Sequence, residues 1–412
     1  MNTDLTETTA AQENMSPAHL DVYQRALEVI PWATQTNAKR YDNDPIASRP
    51  PFIKKAKGCR MWDLDGKEYI DYRAALGPIT LGYAYDEVDE AVRRQIADGV
   101  LFSMASPLEL EAAEEILKTI GWAEKIRFMK TGNDANACCL RLARSKTGRE
   151  HMLTSGYHGY ADWFSLGWPK PGIPGSLNDF VHEVEYGDIA AVDRVFDQFG
   201  PQMAAAQVVP VEWGQKTNRA YLQRIRERCD EFGTALIFDE VLTGFRVANG
   251  GAPEFFDIIP DFSAYAKGIS NGYSLAAYAG KAEWMDALDE TIITTTYAGD
   301  VLCLAAGIAV MKIYQREQIP QHMEAMGIRL VDGLHRLFVE HGIPACANGL
   351  PHASVIHFTE NEETSQQLRT RLFTGLYDRG IFANQQWFTS FSHQASDIDE
   401  TLDKFQDTLR HL

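Results

Sequence analysis

Nowhere in the 412 residues does an apolar run approach the ~20 that a helix needs to span a bilayer, which excludes a helical membrane protein. Cysteine is sparse. The six residues Cys59, Cys138, Cys139, Cys229, Cys303 and Cys346 form no CxxC pair and no Cys/His zinc spacing, so they read as reduced thiols in a cytoplasm, with no metal site. Positive charge is also short: 39 Lys and Arg stand against 57 Asp and Glu, a formal net charge of −18. That balance argues against nucleic acid or an anionic membrane surface as partner. There is no internal repeat and no low-complexity tract. Residues 1–17 are polar and acidic, with neither the apolar core of a signal peptide nor the arginines of a transit peptide. A disordered tail is expected over 1–16.

What is present is ample material for a core, 45% hydrophobic with 11% aromatic, in a length that suits one large and one smaller domain. Leu20, Tyr23, Leu27 and Ile30 share one face of a helix that starts at Pro17 and stops at Pro31. Ile53 to Tyr72 reads as a hairpin with Asp65-Gly66 as a two-residue turn. Helices are expected from Asp86, over Glu109–Ile120, over Ala135–Arg144 and over Ala220–Phe232. Strands are expected at Lys125–Met129, Met152–Thr154, Ala204–Val211, Ala235–Phe238 and Phe262–Ala266. Alternation of strand and helix from about 125 to 280 is the pattern of a doubly wound α/β sheet, mostly parallel. Beyond it, a long helix from about Ile308, another over 320–338, strands at Ala353–Thr359 and Gly380–Ala383, and a closing helix at Asp397–Leu409 are expected.

Two of these strands end on chemistry. Ala235–Phe238 runs into Asp239-Glu240, and Phe262–Ala266 runs into Lys267-Gly268. In open α/β sheets the strand C-termini line the ligand crevice. A lysine amine in such a crevice, in low dielectric and near positive charge, has a lowered pKa and becomes a nucleophile toward an aldehyde. A carboxylate beside it could keep a pyridine nitrogen protonated. The same residues would also serve as a helix cap and a solvated loop lysine. Thr131-Gly132-Asn133 before a helix offers free amides and a helix dipole to a phosphate, or is simply an N-cap. Residues 163–179 form a long Gly/Pro loop, either a lid or a plain connector.

DEVLTGFR followed by SAYAKGISNG resembles the signature of the class III pyridoxal-phosphate aminotransferases, in the branch resembling glutamate-1-semialdehyde 2,1-aminomutase. The separation of 28 residues (267 − 239) fits, and the likeness covers about residues 17–412. It implies the type I fold, a large domain over 76–310, and a smaller α+β domain built from 17–75 and 311–412. It implies a homodimer with pyridoxal 5'-phosphate held as a Schiff base on Lys267. By the same likeness Asp239 partners the pyridine nitrogen and Val241 packs on the ring. Tyr157 stacks on it with His158 beside, Gly132 and Asn133 hold the phosphate, and Thr296 reaches across the dimer to the partner's phosphate. Thr36 and Lys39 lie over the substrate, Lys39 standing where that branch has arginine. Val209 replaces a customary glutamate, Asn133 a threonine and Asp300 an asparagine. The activity so implied is transfer of an amino group from an amino acid donor to a specialised keto or aldehyde acceptor, both small molecules. An aminomutase or amino-acid racemase of the same fold is the alternative. A non-catalytic homologue would lack the lysine or the acid, and both are here.

Overall fold

The computed structural model describes residues 15–41, 49–165 and 172–412. The tail expected over 1–16 thus lies almost wholly outside the described residues, as does the centre of the 163–179 loop. In chain order the first elements are α1 (Pro17–Val29), β1 (Ile53–Lys57), β2 (Arg60–Asp63), β3 (Glu68–Asp71), α2 (Asp86–Asp98), α3 (Pro107–Ile120), β4 (Lys125–Met129) and α4 (Gly132–Thr147). Then come β5 (His151–Ser155), β6 (Val181–Glu183), α5 (Ile189–Phe199), β7 (Met203–Val208), α6 (Arg219–Phe232), β8 (Ala235–Glu240), α7 (Ala252–Phe256), β9 (Phe262–Tyr265), β10 (Ala276–Gly280) and α8 (Ala282–Met285). The chain finishes with α9 (Val301–Arg316), α10 (Ile319–Glu340), β11 (Ala345–Asn348), β12 (Ala353–Phe358), α11 (Glu362–Asp378), β13 (Ile381–Phe382), β14 (Gln386–Phe388) and α12 (Ala395–Leu409).

These elements fall into two compact units: residues 1–74, 82–84 and 325–412 form one, and 75–81 with 85–324 the other. The changeover lies inside α10, beyond the 310/311 boundary expected. The reason is visible in α9, which is buried from Val301 to Tyr314 almost without a break and packs on α2 and α3 of the second unit.

The first unit carries a four-stranded sheet in the order β1-β2-β3-β13 and a three-stranded sheet β11-β12-β14. Its core gathers Tyr69, Ile70, Tyr72, Phe338, Trp387 and Phe405. The expected single hairpin over 53–72 is a three-stranded antiparallel meander, because β1 also pairs with β2 through Gly58-Cys59. Its second turn is one residue longer than the two-residue form. The Asp63 amide donates to Lys67 O at 3.1 Å and the Gly66 amide to Asp63 O at 3.3 Å, with Gly66 at φ 86°. The Asp63 carboxylate fixes this longer loop by accepting from the Asp65 and Lys67 amides at 3.0 and 2.9 Å.

The second unit is built on a seven-stranded sheet in the order β4-β10-β9-β8-β7-β5-β6. Pairing is parallel from β9 through β8, β7 and β5 to β6, while β10 runs antiparallel to both β9 and β4. Six strands therefore point one way and one points back. β7 and β8 are buried at every position, polar Gln207, Asp239 and Glu240 included, as strands covered on both faces are.

Candidate active site

Strand register assembles the site. In the parallel pair β8/β9, Asp239 lies opposite Ala264 and Glu240 opposite Tyr265, so Lys267, two residues beyond Tyr265, leaves the sheet at the edge where β8 ends. Ser155 pairs with Val208 and Val208 with Phe238, which brings Tyr157 and His158 out beside Asp239. Met129 pairs with Ala276 and Ala277 with Tyr265, so the start of α4 opens at that edge too. Strand C-termini thus bring Lys267, Asp239, His158, Tyr157 and Gly132 to one rim.

Asp239 is only 5% exposed, and three donors hold its carboxylate. Oδ2 accepts from Asn136 Nδ2 and from His158 Nδ1, both at 2.8 Å, and Oδ1 accepts from the Val241 amide at 3.0 Å. A carboxylate can only accept, which places the proton of His158 on Nδ1. Asn136 also donates to His158 O at 3.0 Å, closing a three-residue lattice. His158 Nε2 and Asn136 Oδ1 are buried without a partner among the described residues. Asn136 escapes sequence reading altogether, because a polar residue inside a helix carries no local mark of the carboxylate it meets 103 positions away.

Lys267 sits at φ 48°, in the left-handed region that ordinary side chains rarely adopt. Burial presses its amine down to about 8; the Asp239 carboxylate works against this fall and the Arg246 guanidinium adds to it. Arg246 is itself buried and donates to Gly77 O at 2.7 Å.

The phosphate-cup expectation rests on α4. Thr131 caps it, its Oγ1 accepting from the Asp134 amide at 3.2 Å while Asp134 Oδ2 accepts from the Thr131 amide at 3.1 Å. The amides of Gly132 and Asn133 remain for an anion at the positive end of this 16-residue helix. The Asn133 side chain is oriented by its Oδ1, which accepts from the Ala161 amide at 2.9 Å, while its Nδ2 keeps two donors suited to an anion. Lys130, just before the cap, is paired at 3.0 Å with Asp300, which caps α9 through the Leu302 amide. Gly132 has no room for a side chain, since a Cβ there would stand 2.6 Å from Val241 Cγ2. We expect Gly132→Ala to displace Val241, to weaken cofactor affinity about tenfold or more and to cost about 1–3 kcal/mol of stability; spectroscopic titration of cofactor-free protein and a denaturant melt measure the two.

The remaining expected residues are less enclosed. Tyr157 is 61% exposed, and Thr296 is exposed at the start of a short turn, Thr296–Gly299. Thr36 and Lys39 belong to the first unit, where they line a cleft of about 320 Å³ with Trp32, Tyr41 and Phe52. Arg40 lies over the Trp32 ring at 4.8 Å, and Lys39 is exposed. Val209 packs so closely on Gly156 that a Cβ at Gly156 would meet it at 2.2 Å.

Glu240, next to Asp239 but fully buried, accepts from Thr243 Oγ1 at 2.8 Å and the Ala252 amide at 2.9 Å. Burial raises its pKa to about 8; the Thr243 and Ala252 donors oppose the rise and the Asp239 charge adds to it. Between 4.5 and about 8 the folded chain holds this proton while the unfolded chain has lost it, so the group's contribution to stability falls as pH rises. Glu240→Gln should flatten that slope, measurable in denaturant melts across the same window.

A planar ring with an aldehyde, a basic ring nitrogen and a phosphate fits these parts: a nucleophilic amine, a fixed carboxylate with lone pairs to spare, and bare amides at a helix start. Pyridoxal phosphate has all three features. The class III aminotransferase family model matches residues 43–409 of the chain. A glutamate-1-semialdehyde 2,1-aminomutase from Sulfurihydrogenibium sp. (strain YO3AOP1) is 32% identical over 397 residues, 89% of this chain and 93% of its own. A 3-aminobutyryl-CoA aminotransferase from Cloacimonas acidaminovorans (strain Evry) is 30% identical over 403 residues, 95% of this chain and 97% of its own. The FumI protein of Sphingopyxis sp. MTA144, solved in its PLP internal aldimine form, superposes with a TM-score of 0.90 at 27% identity, over 95% of this chain and 96% of that one.

Proposed function

The chain belongs to the class III aminotransferases and uses pyridoxal 5'-phosphate, and on that premise we propose that it moves an amino group from an amino acid donor to a separate keto or aldehyde acceptor. The observation that carries this reading is the meeting, where two adjacent parallel strands end, of a lysine amine lowered to about 8 and a carboxylate fixed by three donors.

The bound cofactor supplies an aldehyde that amines condense with and a protonated ring that takes up the electrons left at Cα. Lys267 Nζ, neutral in a large share of molecules near pH 8, would take the Cα proton and deliver it to the carbon two atoms away. Asp239 would hold the ring nitrogen and keep its proton in place. His158 Nδ1–H and Asn136 Nδ2–H fix that carboxylate, so little reorganisation is needed as charge develops. The Gly132 and Asn133 amides would hold the phosphate, and Val241 and Tyr157 would pack on the ring. Thr36 and Lys39 meet the substrate carboxylate, Lys39 as a point charge without the fork of arginine. Thr296 comes from a second copy of the chain. Exposed Ile292 and Tyr297 beside it, with Phe102 and Met104, support a homodimer. The free thiols at all six cysteines support a cytoplasmic location.

The aminomutase name of the relatives favours a second reading, in which one substrate stays bound and is rearranged. A half-reaction separates the two. Mixing holoenzyme with amino donors alone should release one free keto acid per aminated cofactor. Donor consumption without released keto acid, or isomerisation of glutamate semialdehyde at full rate, would instead establish the mutase. Capture of cofactor by the cofactor-free chain should quicken as pH rises, with a midpoint near about 8, because the neutral amine is the nucleophile. A flat profile between pH 6 and 10 would count against Lys267 as the capturing group.

A further inference from the structure

We propose that His19, Asp63 and Asp65 form a binding site for a divalent first-row transition-metal cation, of the Zn²⁺ class, that clips α1 to the turn between β2 and β3. One donor atom from each residue lies within 4.8 Å of the other two. His19 Nε2 stands 4.0 Å from Asp63 Oδ2 and 3.8 Å from Asp65 Oδ2. Those gaps are too long for hydrogen bonds. Two donors ~2.1 Å from a tetrahedral ion stand ~3.4 Å apart, so an ion would draw these groups together by about half an ångström.

The imidazole is what makes this more than an acidic turn. His19 is 4% exposed, and neither of its ring nitrogens has a hydrogen-bond partner among the described residues. A buried polar group normally finds a partner, and this one directs Nε2 at two carboxylates without bonding either. No bond fixes the ring tautomer, so Nε2 is free to carry the lone pair. Phe52 lies alongside the ring, centroids 6.2 Å apart and planes within 13°.

Asp63 is already oriented as a ligand. Its Oδ1 is taken by the Asp65 and Lys67 amides, and its Oδ2 accepts from the Tyr69 hydroxyl at 3.0 Å, leaving a lone pair toward His19. Such outer hydrogen bonds are how proteins aim metal-binding carboxylates. The Asp65 side chain is 44% exposed, which gives a path in and a face for water ligands. One imidazole with two carboxylates suits Zn²⁺ and its neighbours; Ca²⁺ asks for six to eight oxygens. No short sequence motif could announce this site, because its ligands sit 44 residues apart (63 − 19) with aspartates in place of cysteines. An ion here would anchor α1, which leads directly into the Trp32–Lys39 segment of the same unit.

The test uses chelator-treated holoenzyme titrated with Zn²⁺ in a calorimeter and with Co²⁺ by visible absorption. One saturable equivalent per chain is expected, with a rise in the unfolding midpoint. His19→Gln and Asp65→Asn should each weaken binding about tenfold or more. Asp65 is half-exposed on a turn, so its variant keeps the fold should His19→Gln fail to. Absence of saturable binding overturns the proposal. So does binding that Asp65→Asn leaves unchanged, which would place the metal elsewhere. Neither readout depends on which amines or carbonyls the enzyme uses.

Discussion

Lys267→Ala is expected to abolish turnover, by at least ~10⁴-fold in kcat, and to abolish borohydride fixation of cofactor to the chain. Two functions depend on the one amine. On the proposed mechanism it is both the nucleophile that captures the aldehyde and the base that carries the proton between carbons. Neither has a substitute at this edge of the sheet: Arg246 is a buried cation that holds Gly77 O, and the buried Glu240 bonds Thr243 and Ala252. The variant should still fold. The amine is charged against a desolvation penalty that lowers its pKa to about 8, so removing it relieves a cost in the cofactor-free chain. Alanine can also hold the φ of 48° as well as lysine does. Normal melting with no activity is therefore the expected pair of results, and small exogenous amines should restore a trace of turnover. Residual activity near wild type, or cofactor fixed to another peptide, would remove Lys267 from its proposed role.

Much of this site was legible because buried parallel strands are short apolar runs that stop at a polar residue. β8 and β9 stop at Asp239-Glu240 and Tyr265, just short of Lys267, close to where the pattern ends them. Thr131-Gly132-Asn133, read as a phosphate cup or an N-cap, does open α4, three residues ahead of the helix expected from Ala135. What stayed hidden is whatever depends on distant partners. Asn136 looks like any polar helical residue until β8 brings Asp239 beside it. Lys130 and Asp300 are 170 positions apart, and neither carries a local sign of the other. Asn133 reads as a phosphate contact, and nothing near it in sequence shows that its Oδ1 meets the Ala161 amide 28 positions away. The direction of β10 was equally invisible, since an antiparallel strand among parallel ones has the same alternation and length. β6, β11 and β14 have three or four residues each, too few for a period to show, and α11 presents polar residues over most of its surface.

Asp239→Asn is expected to lower kcat by about 10²–10³-fold while leaving the fold and the cofactor's covalent attachment in place. The carboxylate accepts three hydrogen bonds, from Asn136, His158 and the Val241 amide. An amide has a single acceptor oxygen. If that oxygen keeps Asn136 and His158, the new NH₂ faces the Val241 amide and the ring nitrogen. A donor there favours an unprotonated ring nitrogen, which can no longer draw electrons from Cα. If the amide flips, the NH₂ faces two donors and His158 must shift its proton to Nε2, a buried atom with no partner among the described residues. Either arrangement costs proton transfer far more than binding, so KM should move little. His158→Ala and Asn136→Ala leave the charge and loosen only its aim. They should cost about tenfold each and shift the pH profile, a readout that a purely structural role would not alter. Asp239→Asn at full kcat would mean that another group protonates the ring, and the chemistry assigned to this strand end would have to be abandoned.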